Sequence, residues 1–273
     1  MRPAARAILR RALARLCSLT ARSEPGLRIL TYHRVNDGHP HDRLTVAPRA
    51  FAAQMEALRA SGRPVLSLAR MLGVPPGGEP VPAGAVALTF DDGYADNVTD
   101  ALPVLERFGF PAAFFVVTGL MGTSRTLDRY HGCCGADRMM SWDEVRALRD
   151  RGHAIGGHGR NHRELAGLPE TEVRDEVEQC AQDIQRETGE RPRLFCYPRG
   201  SEDAQTRRIV GEAGFVAACT VRPGANPPRT ELLALRRTEV SGDDALTDFR
   251  IKLEGGFDAW HRLAQARPRG VRW

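Results

Sequence analysis

The stretch Val86–Asn97, VALTFDDGYADN, opens on an apolar run and then places two carboxylates and a glycine side by side. Its first five residues have the β-branched and aromatic content of a buried strand, and Gly93 allows the chain to turn sharply just after that strand. Asp91 and Asp92 are therefore predicted to lie at a strand's carboxyl end, the edge of a parallel α/β sheet or barrel where ligands bind. Adjacent acids repel each other there unless a cation or a proton is present.

The length and composition favour one large soluble domain. The chain has 273 residues, of which 42% are hydrophobic and 27% charged, values typical of globular proteins and not of disordered ones. The net charge of +5 is modest. Because no aromatic-interleaved basic patch or recognition motif accompanies it, we do not expect nucleic acid as a partner.

The first 22 residues form a separate basic segment. They contain six arginines and no acid, and Leu9, Leu13 and Leu16 recur at helical spacing, which predicts a basic amphipathic helix. Its apolar runs are shorter than the roughly 20 residues of a membrane span, and arginines interrupt the centre that a secretory signal requires. A peripheral contact with an anionic membrane surface, a solvated helix packed on the domain and an organellar transit peptide remain alternatives. We expect a location in the cytoplasm or at the inner membrane of a bacterium.

Strand and helix patterns alternate through the rest of the chain, which predicts a parallel sheet, either open or closed into a barrel. The expected divisions are a basic segment at 1–26, a domain at 27–255 and a basic tail at 256–273. The predicted strands cover residues 27–33, 65–68, 86–90, 112–118, 152–156, 194–197, 215–220 and 232–240. The predicted helices cover residues 48–61, 97–108, 142–151 (with Ser141 as N-cap), 168–188, 204–213 and 246–253.

Two histidines, His158 and His162, are four residues apart in a glycine-bounded loop. This spacing allows both imidazoles to face one cation, and two histidines with one carboxylate make a common open metal site. Zn²⁺, Co²⁺, Ni²⁺, Mn²⁺ or Fe²⁺ would accept such ligands. The pair alone is weak evidence, but together with the acid pair at a neighbouring strand end it favours a metal site.

Three motifs carry a resemblance to a known family: TFDDG at 89–93, HGRNH at 158–162 and FCYPRG at 195–200. Over about residues 27–255 the chain resembles the NodB-homology polysaccharide deacetylases, carbohydrate esterase family four. The resemblance implies a distorted (β/α) barrel that removes N-acetyl groups from amino sugars such as N-acetylglucosamine. It also implies roles for five residues: Asp91 as general base, Asp92, His158 and His162 as ligands of a divalent metal, zinc foremost, and the backbone N–H of Arg199 as an oxyanion donor.

The chain departs from the family pattern in two places. The family's third motif has an arginine before the proline and a tyrosine after it, whereas this chain has Cys196 three residues before Arg199 and an arginine in the place of the tyrosine. Side-chain roles therefore do not transfer there. The usual C-terminal Leu-x-His motif is absent, and His261 has different surroundings. However, LTYHR at 30–34 resembles the circularly permuted branch that includes the poly-N-acetylglucosamine deacetylases, which implies His33 as general acid. The alternative is that the His33 imidazole caps a strand end by hydrogen bonding.

Other polar and aromatic side chains receive weaker predictions. Asp96 and Asp100 are expected to solvate or cap the following helix, His153 to be structural and Trp142 to belong to the core. Either of two neighbouring arginines, at 236 and 237, could hold Asp91 ionised by charge pairing, with surface exposure as the alternative.

The six cysteines occur without a CxxC pair, which predicts mostly reduced thiols. Cys180, Cys196 and Cys219 lie in apolar or helical contexts where cysteine acts as a small hydrophobic residue. Cys133 and Cys134 are expected to be spectators near solvent, with a metal or redox role as the alternative.

The sequence therefore predicts a metal-dependent amidase for the N-acetylated sugars of a surface polysaccharide or its lipid-linked precursor. Two alternatives of other classes remain: an inactive metal-containing carbohydrate-binding domain, and a membrane-peripheral scaffold organised by residues 1–22.

Overall fold

The computed structural model describes residues 26–72, 81–123, 125–127 and 137–258. Strands in this part of the chain are β1 Arg28–Tyr32, β2 Arg34–Val35, β3 Thr45–Val46, β4 Val86–Phe90, β5 Ala112–Val116, β6 Ala154–Gly157, β7 Leu194–Cys196, β8 Ala217–Cys219 and β9 Thr238–Glu239. The α-helices are α1 Pro48–Ala60, α2 Leu68–Met71, α3 Leu102–Phe108, α4 Trp142–Asp150, α5 Glu170–Thr188, α6 Ala204–Glu212 and α7 Leu246–Leu253.

Seven strands form one curled sheet in the order β8-β7-β6-β5-β4-β1-β9, and every pair in it is parallel. The segment leading into β9 closes the ring. Leu235 forms a parallel bridge with Cys219 of β8, and Thr238 then pairs with Leu30 of β1. The predicted distorted (β/α) barrel is confirmed, and the carboxyl ends of its strands meet at one rim.

The core has two layers because successive strand residues face opposite sides of the sheet. On the helix side, aromatic rings stack across neighbouring strands, with Phe90 and Phe114 centroids 4.9 Å apart and Tyr32 and Phe90 centroids 5.4 Å apart. The barrel interior holds mainly smaller side chains, among them Ile29, Ala87, Ala113, Cys196 and Ala217. Each fully buried large side chain contributes about 1.5–3 kcal/mol to folding.

The predicted N-cap at Ser141 is confirmed. Its hydroxyl accepts from the amide of Glu144 at 3.2 Å, and the Glu144 carboxylate accepts from the Ser141 amide at 2.8 Å. Asp203 and Thr206 make the same reciprocal arrangement at the start of α6. These caps satisfy amides that would otherwise lack partners in the first helical turn.

Several predicted elements differ from the structure. The predicted strand at 65–68 is wrong: Val65 makes a single bridge to Val86, and the chain then enters the short helix α2. The predicted strand at 232–240 begins instead with a 3₁₀ turn and is reduced to β9, because the chain changes partner from β8 to β1 midway. The helix at 97–108 starts as a π turn, consistent with Pro103, which supplies no amide to an α-helical turn.

Some predictions concern residues outside the described part of the chain. These are the basic helix at 1–22, most of the tail at 256–273, and Cys133 and Cys134. The division into a domain at 27–255 stays a prediction. Among the helices that are described, none combines the length and apolar character that a bilayer crossing requires.

Candidate metal and catalytic site

Three loops at the carboxyl rim of the barrel bring the predicted site residues together. They follow β4, β6 and β7. Among the described residues, the non-glycine residues with positive φ are Asp92 (75°), His162 (58°) and Arg199 (53°), one in each loop. Such backbone conformations are unfavourable for side-chain-bearing residues and are concentrated at functional sites, where the surrounding fold imposes them.

Asp92, His158 and His162 form a compact cluster. The Asp92 Oδ1 atom lies 3.4 Å from His158 Nε2 and 3.5 Å from His162 Nε2, and the three ligand atoms lie within 4.8 Å of one another. Atoms that each bind a tetrahedral Zn²⁺ at about 2.0–2.1 Å are themselves roughly 3.3–3.4 Å apart. The spacing and the donor types therefore fit a divalent metal.

Hydrogen bonding and burial affect the ring orientation and the pKa of the two imidazoles differently. His158 Nδ1 lies 2.7 Å from the carbonyl oxygen of Cys196, which orients the ring and leaves Nε2 directed at Asp92. Burial lowers the pKa of His158, but Cys196 and Asp92 outweigh it and raise that pKa well above its ordinary value. Burial and the neighbouring His158 lower the pKa of His162 to about 4, so this ring is neutral at pH 7.

Asp91 has a separate partner. Arg237 donates from Nη1 to Asp91 Oδ1 and from Nη2 to Asp91 Oδ2, each at 2.7 Å, and both side chains are buried. Burial raises the pKa of the Asp91 carboxyl, but the charge and hydrogen bonds of Arg237 outweigh it and hold the pKa well below its usual range. Of the two arginines suggested by the sequence, Arg237 makes this contact and Arg236 is exposed.

Cys196 lies against this ion pair. Its Sγ is 3.5 Å from Asp91 Oδ2 and 3.0 Å from Arg237 Nη2, and the side chain is fully buried. A longer side chain here would meet the guanidinium of Arg237. Asp91, His158 and Cys196 also have metal-ligand spacing. However, both Asp91 oxygens already accept from Arg237, so the cluster around Asp92 is the better metal site.

His33 also lies beside Asp91. Its Nε2 is 4.0 Å from Asp91 Oδ2, and its Nδ1 is buried with no hydrogen-bond partner in the described part of the chain. The end of β1 is instead held through the His33 carbonyl, which accepts from Asn97 Nδ2 at 2.9 Å. The strand end is therefore tied by the backbone, and the imidazole is left beside Asp91.

At Arg199 the backbone amide, and not the side chain, is the candidate hydrogen-bond donor of the site. Its side chain is 69% exposed and pairs with Glu164 at 3.1 Å. The amides of Gly200 and Ser201 donate to the carbonyls of Tyr197 and Pro198, whereas the Arg199 amide has no backbone acceptor among the described residues. This N–H is therefore available to a ligand oxygen.

The weaker predictions have mixed outcomes. The prediction for Asp96 is wrong: it makes no side-chain cap, is 6% exposed, and accepts from Arg34 Nε at 2.8 Å. His153 is structural, because its Nδ1 accepts from the Ala112 amide at 3.1 Å. Trp142 packs against the core. The three cysteines predicted to act as hydrophobic residues, Cys180, Cys196 and Cys219, are buried and unbridged.

Comparison with known proteins identifies the family. A model described as "Polysaccharide deacetylase" matches residues 78–218, more than half of the chain. YxkH of Bacillus subtilis is 26% identical over 215 residues, covering 79% of this chain and 71% of that protein. The poly-β-1,6-N-acetyl-D-glucosamine N-deacetylase of Escherichia coli K12 is 32% identical over 126 residues, but these span 45% of this chain and 19% of that enzyme.

Solved structures show the same architecture. IcaB from Ammonifex degensii superposes with a TM-score of 0.73 at 25% identity, covering 85% of this chain and 98% of that chain. The deacetylase PplD of Streptococcus pyogenes superposes with a TM-score of 0.71 at 20% identity, covering 84% of this chain and 98% of that chain, which supports the fold. The motifs, the barrel and the family match agree, and the chain belongs to the polysaccharide deacetylase family.

Proposed function

We propose that the protein is a metal-dependent hydrolase that removes N-acetyl groups from amino sugars. The observation that carries this proposal is the separation of two adjacent carboxylates. Asp92 lies in the histidine cluster, while Asp91 is bound by Arg237. A metal-assisted amidase needs these two roles, one acid to bind the cation and one to accept a proton.

The proposed metal ligands are Asp92, His158 and His162. Two imidazoles and one carboxylate suit Zn²⁺ best and would also accept Co²⁺, Ni²⁺, Mn²⁺ or Fe²⁺. When bound, the cation supplies Lewis acidity to the amide carbonyl and to the attacking water.

The remaining residues handle protons and charge. Asp91, kept ionised and off the metal site by Arg237, accepts the proton of the attacking water as general base. The Arg199 amide donates to the oxyanion that develops on the acetamide oxygen. His33, at 4.0 Å from Asp91, protonates the departing amine as general acid.

The proposed substrates are N-acetylglucosamine-type units of a surface polysaccharide or its lipid-linked precursor. Support comes from the Escherichia coli relative, which is named for poly-β-1,6-N-acetyl-D-glucosamine. We further propose that residues 1–22 make the peripheral membrane contact suggested by their arginines, which would bring the enzyme to such substrates at the inner membrane.

The direct test is acetate release. We expect purified protein loaded with Zn²⁺ or Co²⁺ to release acetate from N-acetylglucosamine oligomers or lipid-linked amino sugars, and to stop after chelation of the metal. The proposal would be falsified if the metal-loaded protein released no acetate from any of these substrates and Asp91→Asn protein behaved as the parent does. An inactive carbohydrate-binding domain would give that result and still bind the sugar.

Variants separate the roles of the two aspartates and His33. Asp91→Asn and His33→Ala should keep the metal and lose roughly 10²–10⁴-fold in turnover, the usual contribution of a general base or acid. Asp92→Asn should lose the metal. Metal content and turnover are measured on the same preparations, and loss of metal from His33→Ala would make His33 a ligand instead of an acid.

A further inference from the structure

We infer that Glu176 is a positioning residue that holds His162 in place for metal binding. The inference rests on the proposed metal site at Asp92, His158 and His162. Glu176 projects from α5 and is 4% exposed. Nothing in the sequence motifs points to it, because it lies 14 residues beyond His162 in another element.

Glu176 binds the short loop between the two histidines. Its Oε2 accepts from the amides of Arg160 at 3.0 Å and Asn161 at 2.9 Å, and its Oε1 accepts from Asn161 Nδ2 at 2.7 Å. Hydrogen bonds to an ionised acceptor are stronger than neutral ones. One carboxylate therefore accepts from both backbone amides of this loop and from the Asn161 side chain.

The opposite side of the same loop is held by the segment that follows β5. The amide of Thr118 donates to the Gly159 carbonyl at 3.3 Å, and the amide of Gly119 donates to the Arg160 carbonyl at 2.8 Å. The carbonyls of Gly159 and Arg160 thus face the segment after β5, and the amides of Arg160 and Asn161 face Glu176. This two-sided attachment is what maintains the left-handed backbone of His162, with φ 58°, next to Asp92.

The two metal histidines depend on Glu176 to different degrees. His158 is anchored by its own ring, through Cys196, and by its amide, which donates to the Val116 carbonyl at 3.0 Å. For the His162 ring, the described part of the chain shows no hydrogen bond beyond its approach to Asp92. His162 is therefore placed by its backbone, and Glu176 holds that backbone on the side of the loop's amides.

The charge environment of Glu176 also favours a positioning role. Within the described residues, no arginine, lysine or histidine lies within salt-bridge distance of its carboxylate, although many other acids of α5 are paired. Burying a carboxylate without a countercharge costs free energy unless amides replace water. Here the compensating amides are those of Arg160 and Asn161, in the loop between the two histidines. The Glu176 carboxylate and this loop therefore stabilise each other.

The test compares metal affinity in Glu176→Ala, Glu176→Gln and the control Glu178→Ala, a partly exposed residue of the same helix that pairs with Arg174 and not with the histidine loop. Metal-free proteins are titrated with Zn²⁺ against a chromophoric chelator. We expect Glu176→Ala to weaken Zn²⁺ binding by roughly 10- to 100-fold, the usual effect of losing a residue that orients a ligand. Glu176→Gln, whose amide oxygen can accept the two backbone amides, should recover most of that loss, and Glu178→Ala should match the parent.

A second readout reports on coordination. The visible absorption of the Co²⁺ form should change in Glu176→Ala and return towards the parent spectrum in Glu176→Gln, an effect that a general loss of stability does not produce. If Glu176→Ala does not fold, Glu176→Asp, which withdraws the carboxylate by one methylene, is measured in its place with the same expectation of weaker binding.

The outcomes separate this inference from the proposed function. Parent-like Zn²⁺ affinity and Co²⁺ spectrum in Glu176→Ala, or in Glu176→Asp where that variant replaces it, would overturn the positioning role while Asp92→Asn still abolishes binding. If Asp92→Asn binds metal as tightly as the parent, the proposed metal site is wrong, and the positioning role is overturned with it.

Discussion

Two neighbouring residues, Asp91 and Asp92, have different electrostatic partners. The positive φ of Asp92 turns the chain at the end of β4, so one carboxylate meets the guanidinium of Arg237 and the other meets two imidazoles. Each negative charge is balanced separately, which removes the repulsion expected between adjacent buried acids. The proposed division between a base and a metal ligand rests on this difference.

Removing Arg237 should change the pH dependence of the reaction. In Arg237→Gln, the largest effect opposing the burial of Asp91 is removed and the pKa of Asp91 rises, so the carboxylate ionises only at higher pH. The acid limb of the kcat/KM profile for acetate release should therefore move to higher pH. Breaking this buried pair should also lower the free energy of unfolding by about 3–5 kcal/mol.

The neighbouring exposed arginine provides the matched control. Arg236→Gln should leave both the acid limb and the free energy of unfolding close to the parent values, because exposed positions contribute little. An unchanged acid limb in Arg237→Gln would show that Arg237 does not control the ionisation of Asp91.

At the scale of single elements, β6 places the histidine loop because its glycines allow close packing. A Cβ atom on Gly156 would lie 2.6 Å from Phe115 Cδ1 and 2.8 Å from the Leu194 carbonyl oxygen, and one on Gly157 would lie 2.8 Å from Cys180 Sγ. At these two positions the strand therefore passes between its neighbours with no room for a side chain. His158 follows Gly157 directly, so the close packing of β6 also fixes the position of the candidate metal site.

We expect Gly156→Ala to lower the free energy of unfolding by about 1–3 kcal/mol, because the methyl group overpacks the barrel. Gly211→Ala in α6 is the control. It meets only the flexible end of Leu233, at 3.2 Å, and a helix gains roughly 0.5–1 kcal/mol from alanine in place of glycine. Urea denaturation measures both. Equal stability of the two variants would contradict the packing of β6 described above.

At the scale of the whole molecule, the parallel arrangement of the sheet makes the site. Because all seven strands run the same way, the loops after β4, β6 and β7 and the end of β1 converge on one rim. Many of the ion pairs outside the rim are at least partly exposed, such as those joining Arg174 to Glu170 and Glu212. Such pairs contribute little to stability, so the core matters more.

Metal binding should stabilise the folded protein more at high pH than at low pH. The raised pKa of His158 means that the metal-free site holds a proton that the metal must displace. This proton stabilises the metal-free fold below the unfolded pKa of histidine, and the contribution is lost as pH rises through the raised folded pKa.

Zn²⁺ affinity should therefore increase by up to about tenfold per pH unit below the raised pKa of His158. Thermal unfolding with and without Zn²⁺ at about pH 6 and about pH 8 measures the effect. The increase in Tm caused by Zn²⁺ should be larger at the higher pH and absent in Asp92→Asn. The same Tm increase at both pH values would contradict proton displacement from His158.

Prediction from the sequence succeeded where the pattern is local. The apolar run of β4 followed by acids and Gly93 indicated a strand with a turn after it, and this is confirmed. The strand predicted at 232–240 was largely wrong, and so was the role of Asp96, because both depend on partners from distant parts of the chain. Asp96, for example, binds Arg34, 62 residues earlier.

The sequence by itself determined the parallel α/β class, the rim position of the acid pair and the histidine pair that lies beside it, since strand periodicity and motif spacing are local properties. The barrel was implied only by the resemblance to a known family. Only the tertiary structure decided that Arg237 and not Arg236 binds Asp91, and that Glu176 binds the histidine loop. Arg237 is 146 residues from Asp91 along the chain. Its contact exists because the segment before β9 closes the ring between β8 and β1, and that closure depends on the packing of the whole sheet.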